Sequence, residues 1–116
     1  MRTSLPKVEN LENFLEKNKN KLVGILFTAP WCRTCQGVYP LMEKLQEEFK
    51  KEIILSLLDI GEDQKYSVNL KILSIPQVRF YFNCEEKGRI LGLKKYKEYK
   101  EIVKKILDSI REPKPL

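Results

Sequence analysis

The sequence predicts an α/β fold: a three-layer α/β/α sandwich around a central mixed sheet of about four strands. Three observations carry that prediction. Leu22-Val23-Gly24-Ile25-Leu26-Phe27-Thr28 and the stretch from Ile53 to Ile60 are continuous apolar runs of strand length. Runs of this kind suit strands buried on both faces. Between and after them, apolar residues recur every three or four positions, the spacing of helices with one buried side. Finally, Val78 to Phe82 and Arg89 to Leu93 flank the polar run Glu85-Glu86-Lys87-Gly88 and read as a hairpin.

Taken in order, residues 1–7 are a lead-in, unanchored or weakly paired. From Val8 to Asn20, the residues Val8, Leu11, Phe14 and Leu15 fall at helical spacing and predict a short amphipathic helix. The first strand stops at Ala29-Pro30, because proline cannot donate to a ladder. Val38, Leu41, Met42, Leu45 and Phe49 then predict a helix from Cys32 to Lys50, kinked by Pro40 one turn after its start. After the second strand, Glu62 to Leu70 forms a short helix leading to Ile75-Pro76. Tyr96, Tyr99, Ile102, Val103, Ile106, Leu107 and Ile110 stripe one face of a terminal helix, and residues 111–116 are a proline-containing tail. The order α-β-α-β-α-β-β-α implies parallel pairing of the alternating strands through right-handed crossovers, closed by an antiparallel hairpin. One domain, residues 1–116, accounts for the length, with a core adequate for folding and no room for a second.

Composition narrows the chemistry. The chain has no histidine, which excludes every scheme with an imidazole base and removes the commonest zinc and iron ligand. With 42% hydrophobic and 33% charged residues it reads as a soluble globular protein. No apolar run approaches the roughly 18–20 residues of a membrane span, so no membrane partner is expected. The net charge is +6, yet lysines alternate with acids, as in Lys94-Lys95-Tyr96-Lys97-Glu98-Tyr99-Lys100-Glu101. Such interleaving marks a solvated helix face and not a phosphate-binding stripe, so no nucleic-acid partner is expected. The surplus is best read as a bias toward acidic protein partners. Three cysteines are too few for a disulfide framework, and Met1-Arg2-Thr3-Ser4-Leu5-Pro6-Lys7 lacks the apolar core of an export signal. A reducing cytoplasm is the compartment expected.

The motif that carries chemistry is Trp31-Cys32-Arg33-Thr34-Cys35, placed where a buried strand ends and a helix begins. The thiolate is the reactive form of cysteine, and a helix N-terminus stabilises it through the macrodipole and unpaired N–H groups. Cys32 at the opening is therefore the candidate nucleophile, with the charge of Arg33 beside it. Cys35 lies one turn on and on the same face, where it can attack a mixed disulfide held on Cys32. Alone, a C-x-x-C pair also fits a metal half-site or two buried small residues. A second C-x-x-C or a histidine pair would complete a zinc site, and neither exists here. Cys84 with a carboxylate would be a poor completion. No metal is expected, and the strand–C-x-x-C–helix context points to redox chemistry.

The run Phe27-Thr28-Ala29-Pro30-Trp31-Cys32-Arg33-Thr34-Cys35, with Pro40 five residues after the second cysteine, resembles the thioredoxin family. Ile75-Pro76 resembles that family's cis-proline facing the cysteines, and Gly92 its glycine near the active site. The resemblance runs from Val8 to Ile110. It implies a thioredoxin-like sandwich and a thiol–disulfide oxidoreductase, a protein disulfide reductase and electron carrier of cell redox homeostasis. Cys32 would be the attacking thiol and Cys35 the resolving one. Trp31, Ile75, Pro76 and Gly92 would receive the substrate, with the Ile75 backbone pairing to it as an added strand. The Ile75-Pro76 bond is expected to be cis, the alternative being an ordinary strand-initiating proline. No bound cofactor is implied. The partners expected are disulfide-containing proteins and, as electron donor, a disulfide reductase or a low-molecular-weight thiol. A monomer is expected.

The departures bear on rate and redox poise. The family usually carries Gly-Pro between the cysteines, and here the pair is Arg33-Thr34. Its buried aspartate falls at Leu26, and the accompanying lysine at Leu57 or Leu58. Deprotonation of Cys35 is then left to water, to the leaving thiolate, or to a carboxylate the sequence does not place. Disulfide reduction slower than in a standard thioredoxin is expected. Arg33 favours the dithiol state and so a potential somewhat above that of thioredoxin, still reducing enough for a cytoplasmic reductase. Cys84, followed by Glu85 and Glu86, reads as a free unreactive thiol, with regulatory oxidation or an intermolecular disulfide as the alternative. Two other readings stand beside the oxidoreductase: a non-catalytic peptide-binding module of the same fold, and a thiolate metal carrier. The intact cysteine pair speaks against the module.

Overall fold

The structure is a computed structural model describing residues 3–62 and 64–111. Its elements are α1 (Leu11–Lys17), β1 (Leu22–Thr28), α2 (Arg33–Glu48), β2 (Ile53–Asp59), α3 (Gln64–Asn69), β3 (Gln77–Phe82), β4 (Glu85–Leu91) and α4 (Tyr96–Arg111). The order of element types is the one the periodicities predict. Residues 112–116, most of the expected tail, lie outside the described residues, as do Met1 and Arg2.

Every residue of β1 is buried, and it takes an inner position in a four-stranded sheet of order β2-β1-β3-β4. β2 pairs with it in parallel, from Leu22 opposite Ile53 to Thr28 opposite Asp59. β3 lies on the other side of β1 and runs antiparallel to it, which departs from the expected parallel pairing of alternating strands. The physical reason is the length of α3. A six-residue helix is about 9 Å long, whereas a seven-residue strand spans about 23 Å. Such a helix cannot carry the chain back along the sheet, so β3 starts at the end where β1 and β2 finish. Gln77 therefore pairs with Phe27, and Ile75-Pro76 is delivered beside the cysteine segment.

The hairpin also differs from expectation. Its turn is Asn83-Cys84, with φ of 54° and 66°, and Phe82 pairs with Glu85 across it. Two left-handed residues in a row match the right-handed twist of the flanking strands. The polar run Glu85-Glu86-Lys87-Gly88 is part of β4, an edge strand whose charged residues face solvent. A register shift between Phe80 and Tyr81 accommodates the extra residue.

At the N-terminus, Val8 stands outside α1. Its N–H donates to the Leu57 carbonyl at 2.7 Å while Leu57 donates back to Pro6 at 2.9 Å, a short extended pairing on the outer edge of β2. The helix begins later because Asn10 caps it, its Oδ1 accepting from the Asn13 N–H at 3.0 Å. α2 continues through Pro40 as one helix.

Period-2 alternation in β1 divides the core. Leu22 and Leu26 face a cluster with Val38, Met42, Leu45, Tyr99 and Val103 from α2 and α4. Val23, Ile25 and Phe27 face another with Leu11, Leu15 and Tyr66 from α1 and α3. Buried Arg79 ties the second layer to the sheet, donating to the Leu70 carbonyl at 2.8 Å and to Gln77 Oε1. That bond holds the end of α3 and the start of the loop that carries Ile75-Pro76.

Candidate active site

Where β1 ends, Ala29-Pro30-Trp31 turns the chain and the Cys32 N–H donates to the Ala29 carbonyl at 3.1 Å. Cys32 is the N-cap of α2, with extended backbone (φ −86°, ψ 101°). Its Sγ accepts the Cys35 N–H at 3.2 Å. A helix start leaves its first N–H groups without backbone partners, so one of them is here aimed at sulfur. Cys32 and Cys35 form a disulfide with a Cα–Cα separation of 5.3 Å, inside the usual range. Access is unequal: Cys32 is 7% exposed and Cys35 0%. Arg33 and Thr34 lie exposed on the first turn.

The Ile75-Pro76 peptide bond is cis. Pro76 is buried, and its carbonyl accepts the Gly92 N–H at 2.8 Å, so the two positions singled out in sequence are neighbours. Gly92 has φ of +80°, a conformation that side chains other than glycine disfavour, and its carbonyl accepts the Tyr99 hydroxyl at 3.2 Å. Trp31 is 73% exposed, and a side chain at Gly61 would come within 3.6 Å of its Nε1. Trp31 thus lies along the loop after β2. Two apolar residues join this end of the sheet that sequence reasoning did not single out. Leu93 reaches over α2, 3.1 Å from where a Gly37 side chain would begin, and Leu73 is 93% exposed ahead of Ile75. Their adjacency to Gly92 and Ile75-Pro76 was the available signal.

Behind the disulfide the surroundings are apolar. Leu26 is fully buried and pairs with Leu57, which shares its cluster with Cys32 and Cys35. Leu58 faces the opposite layer. Cys84 sits at the far end of the sheet in the hairpin turn, its thiol donating to Glu16 at 3.6 Å. Desolvation and the Glu16 carboxylate push that thiol up from its ordinary range, which lowers its reactivity. Among the described residues no group of three or more Cys, Asp or Glu is placed to hold a metal ion. No helix among them is long and apolar enough to cross a membrane.

Residues 4–106 match the family model described as thioredoxin. The chain belongs to the thioredoxin family. It is 30% identical over 88 residues to the thioredoxin of Chlamydia pneumoniae, covering 76% of this chain and 85% of that protein. It is 31% identical over 83 residues to NADPH-dependent thioredoxin reductase 3 of Arabidopsis thaliana, 72% of this chain. The chain spans only 16% of the length of that relative. The crystal structure of reduced Schistosoma mansoni thioredoxin pre-protein superposes with a TM-score of 0.77 at 28% identity, over 88% of this chain and 94% of that one. The thioredoxin fold of four strands with flanking helices is therefore shared, and the cysteine pair stands at the end of β1 as the family motif requires.

Proposed function

We propose that the protein is a thiol–disulfide oxidoreductase that reduces disulfides in protein substrates through Cys32 and Cys35. The observation that supports this most is the unequal pair at the start of α2, with a partly accessible Cys32 sulfur receiving the Cys35 N–H. In the reduced protein the Cys32 thiolate attacks one substrate sulfur. A Cys32–substrate bond forms, the substrate S–S bond breaks, and the leaving sulfur takes up a proton. Cys35 then loses its proton and attacks Cys32 Sγ, which expels the second substrate thiolate and leaves the protein disulfide-bonded. Two electrons pass to the substrate, and a disulfide reductase or low-molecular-weight thiol returns them.

Trp31, Ile75, Pro76 and Gly92 form the receiving surface in this reading, widened by Leu73 and Leu93, with the Ile75 backbone pairing to an extended segment. Arg33 and Thr34 tune the potential, which lies above the roughly −270 mV of thioredoxin. The protein acts as one domain over residues 1–116, as a monomer, in the cytoplasm. Cys32→Ser tests the reading. In reduction of insulin disulfides with dithiothreitol as donor, the variant is expected to fall to the rate of dithiothreitol alone; a variant as active as the parent overturns the assignment.

A further inference from the structure

The net charge of +6 is distributed unevenly in the fold. α4 starts at Tyr96, so Lys94 and Lys95, which the sequence pattern groups with the charges of that helix, belong to the loop before it. β4 ends at Leu91, opposite Gln77, so the loop from Gly92 to Lys95 emerges at the cysteine end of the sheet. Lys97, Lys104 and Lys105 by contrast alternate with Glu98, Glu101 and Asp108 along α4.

That loop is fixed in place. The Gly92 N–H donates to the Pro76 carbonyl at 2.8 Å. The Tyr99 hydroxyl donates to the Gly92 carbonyl at 3.2 Å and accepts the Lys94 N–H at 3.4 Å. Between these anchors Leu93 lies down on α2 at Gly37, where a Cβ would stand 3.1 Å from Leu93 Cδ2. Glycine is a poor helix former, and at this position it leaves room for the loop. Gly37 follows Arg33 by four residues, the spacing that stacks two positions on one helix face. Leu93 is thereby seated one helical turn from Arg33, which adjoins Cys32. Arg33, Lys94 and Lys95 are all exposed, and among the described residues none of the three side chains has an ion pair or hydrogen bond. Lys7, Lys100 and Arg111 are each paired with a carboxylate. The acids of the flanking segments are Glu62, paired with Lys7, Glu43, held by Thr3 and Ser4, and Glu98 on the first turn of α4. Unpaired cations on a fixed backbone beside the reacting sulfur are complementary to carboxylates on a partner.

We infer that Arg33, Lys94 and Lys95 select the substrates of this site: disulfides set in acidic segments of protein, with Asp or Glu within about three residues of the attacked cysteine. The inference rests on the exchange reading above and names which disulfides that exchange acts on. Its reach follows from chain geometry. An extended segment advances about 3.3 Å per residue, so three residues cover about 10 Å. That is about the distance over which exposed charges act at about 0.1 M salt. The bonds made and broken are those of the exchange itself; the cations speed the first attack by drawing the segment to Cys32.

The test uses three synthetic peptides closed by the same disulfide and labelled so that reduction raises fluorescence. They carry Asp, Asn or Lys two residues to either side of each cysteine. Second-order rates are measured with the reduced protein in single turnover. At about 10 mM salt the Asp peptide is expected to react about fivefold faster than the Asn peptide, and the Lys peptide more slowly than either. At about 1 M salt the three rates are expected to converge. In a Lys94→Gln/Lys95→Gln protein the Asp-to-Asn ratio is expected to fall about threefold, whereas Lys94→Arg/Lys95→Arg keeps it. Both peptides meet the same cysteine pair, so a change in redox potential cancels in that ratio. Equal Asp and Asn rates at low salt, a ratio that salt leaves alone, or a ratio that the glutamine variant keeps overturns the inference and leaves the exchange reading standing. A parent protein that reduces none of the three peptides overturns the exchange reading and this inference with it, a result distinct from the others.

Discussion

A Cys35→Ser protein is expected to capture disulfide substrates and hold them. Cys32 remains at the N-cap of α2, where the helix start stabilises its thiolate, so the first attack proceeds. What is lost is the neighbour. Cys35 lies one helical turn away with its Cα 5.3 Å from that of Cys32, close enough to bond without backbone movement. A reacting group so held behaves as if at an effective concentration of about 10⁵ M or more, far above any millimolar thiol in solution. Turnover is therefore expected to fall by at least about a hundredfold while a mixed disulfide accumulates. Non-reducing electrophoresis with an oxidised substrate reads both, as a band shift that dithiothreitol removes. A variant that turns over at the parental rate and carries no adduct would show that Cys35 is not the resolving thiol.

Leu26→Asp is expected to speed the resolving step and destabilise the fold. Leu26 is fully buried, paired with Leu57 and Val78, in the cluster that contains both active-site cysteines. A carboxyl there stands where it can accept the Cys35 proton, so resolution quickens near neutral pH. The cost is desolvation of a charge among leucines, about 2–5 kcal/mol at neutral pH by urea unfolding. Burial raises the folded-state pKa of such a carboxyl above its unfolded value. The penalty is therefore small below about pH 4, where the group is protonated in both states, and grows as pH rises through and above that value. A slower resolving step in a folded variant would contradict the account of the site.

The information that specifies this fold is partly local and partly set by how distant segments meet. β1 and α2 were legible because apolar runs and helical spacing are local properties, and the cysteine motif lies at their junction within nine residues. Gly92 is legible only through the family resemblance, and the cis Ile75-Pro76 bond through that resemblance and the confinement of cis peptides to proline; their meeting, through the Gly92 N–H on the Pro76 carbonyl, depends on β3 and β4 returning to one end of the sheet. The antiparallel course of β3 escaped the alternation rule because that rule assumes a helix long enough to cross the sheet. Part of β4 reads as a turn in the sequence because an edge strand facing water carries the same residues as a loop.

Cys32 and Cys35 together are expected to pass two electrons to a substrate disulfide. Counting thiols tests it most directly. The reduced protein is denatured and titrated before and after it meets one equivalent of an oxidised protein disulfide. A fall from three thiols to one is expected, Cys84 alone remaining, as the substrate gains two. Three thiols still present after the encounter, with the substrate disulfide intact, would contradict it and leave a binding module in its place.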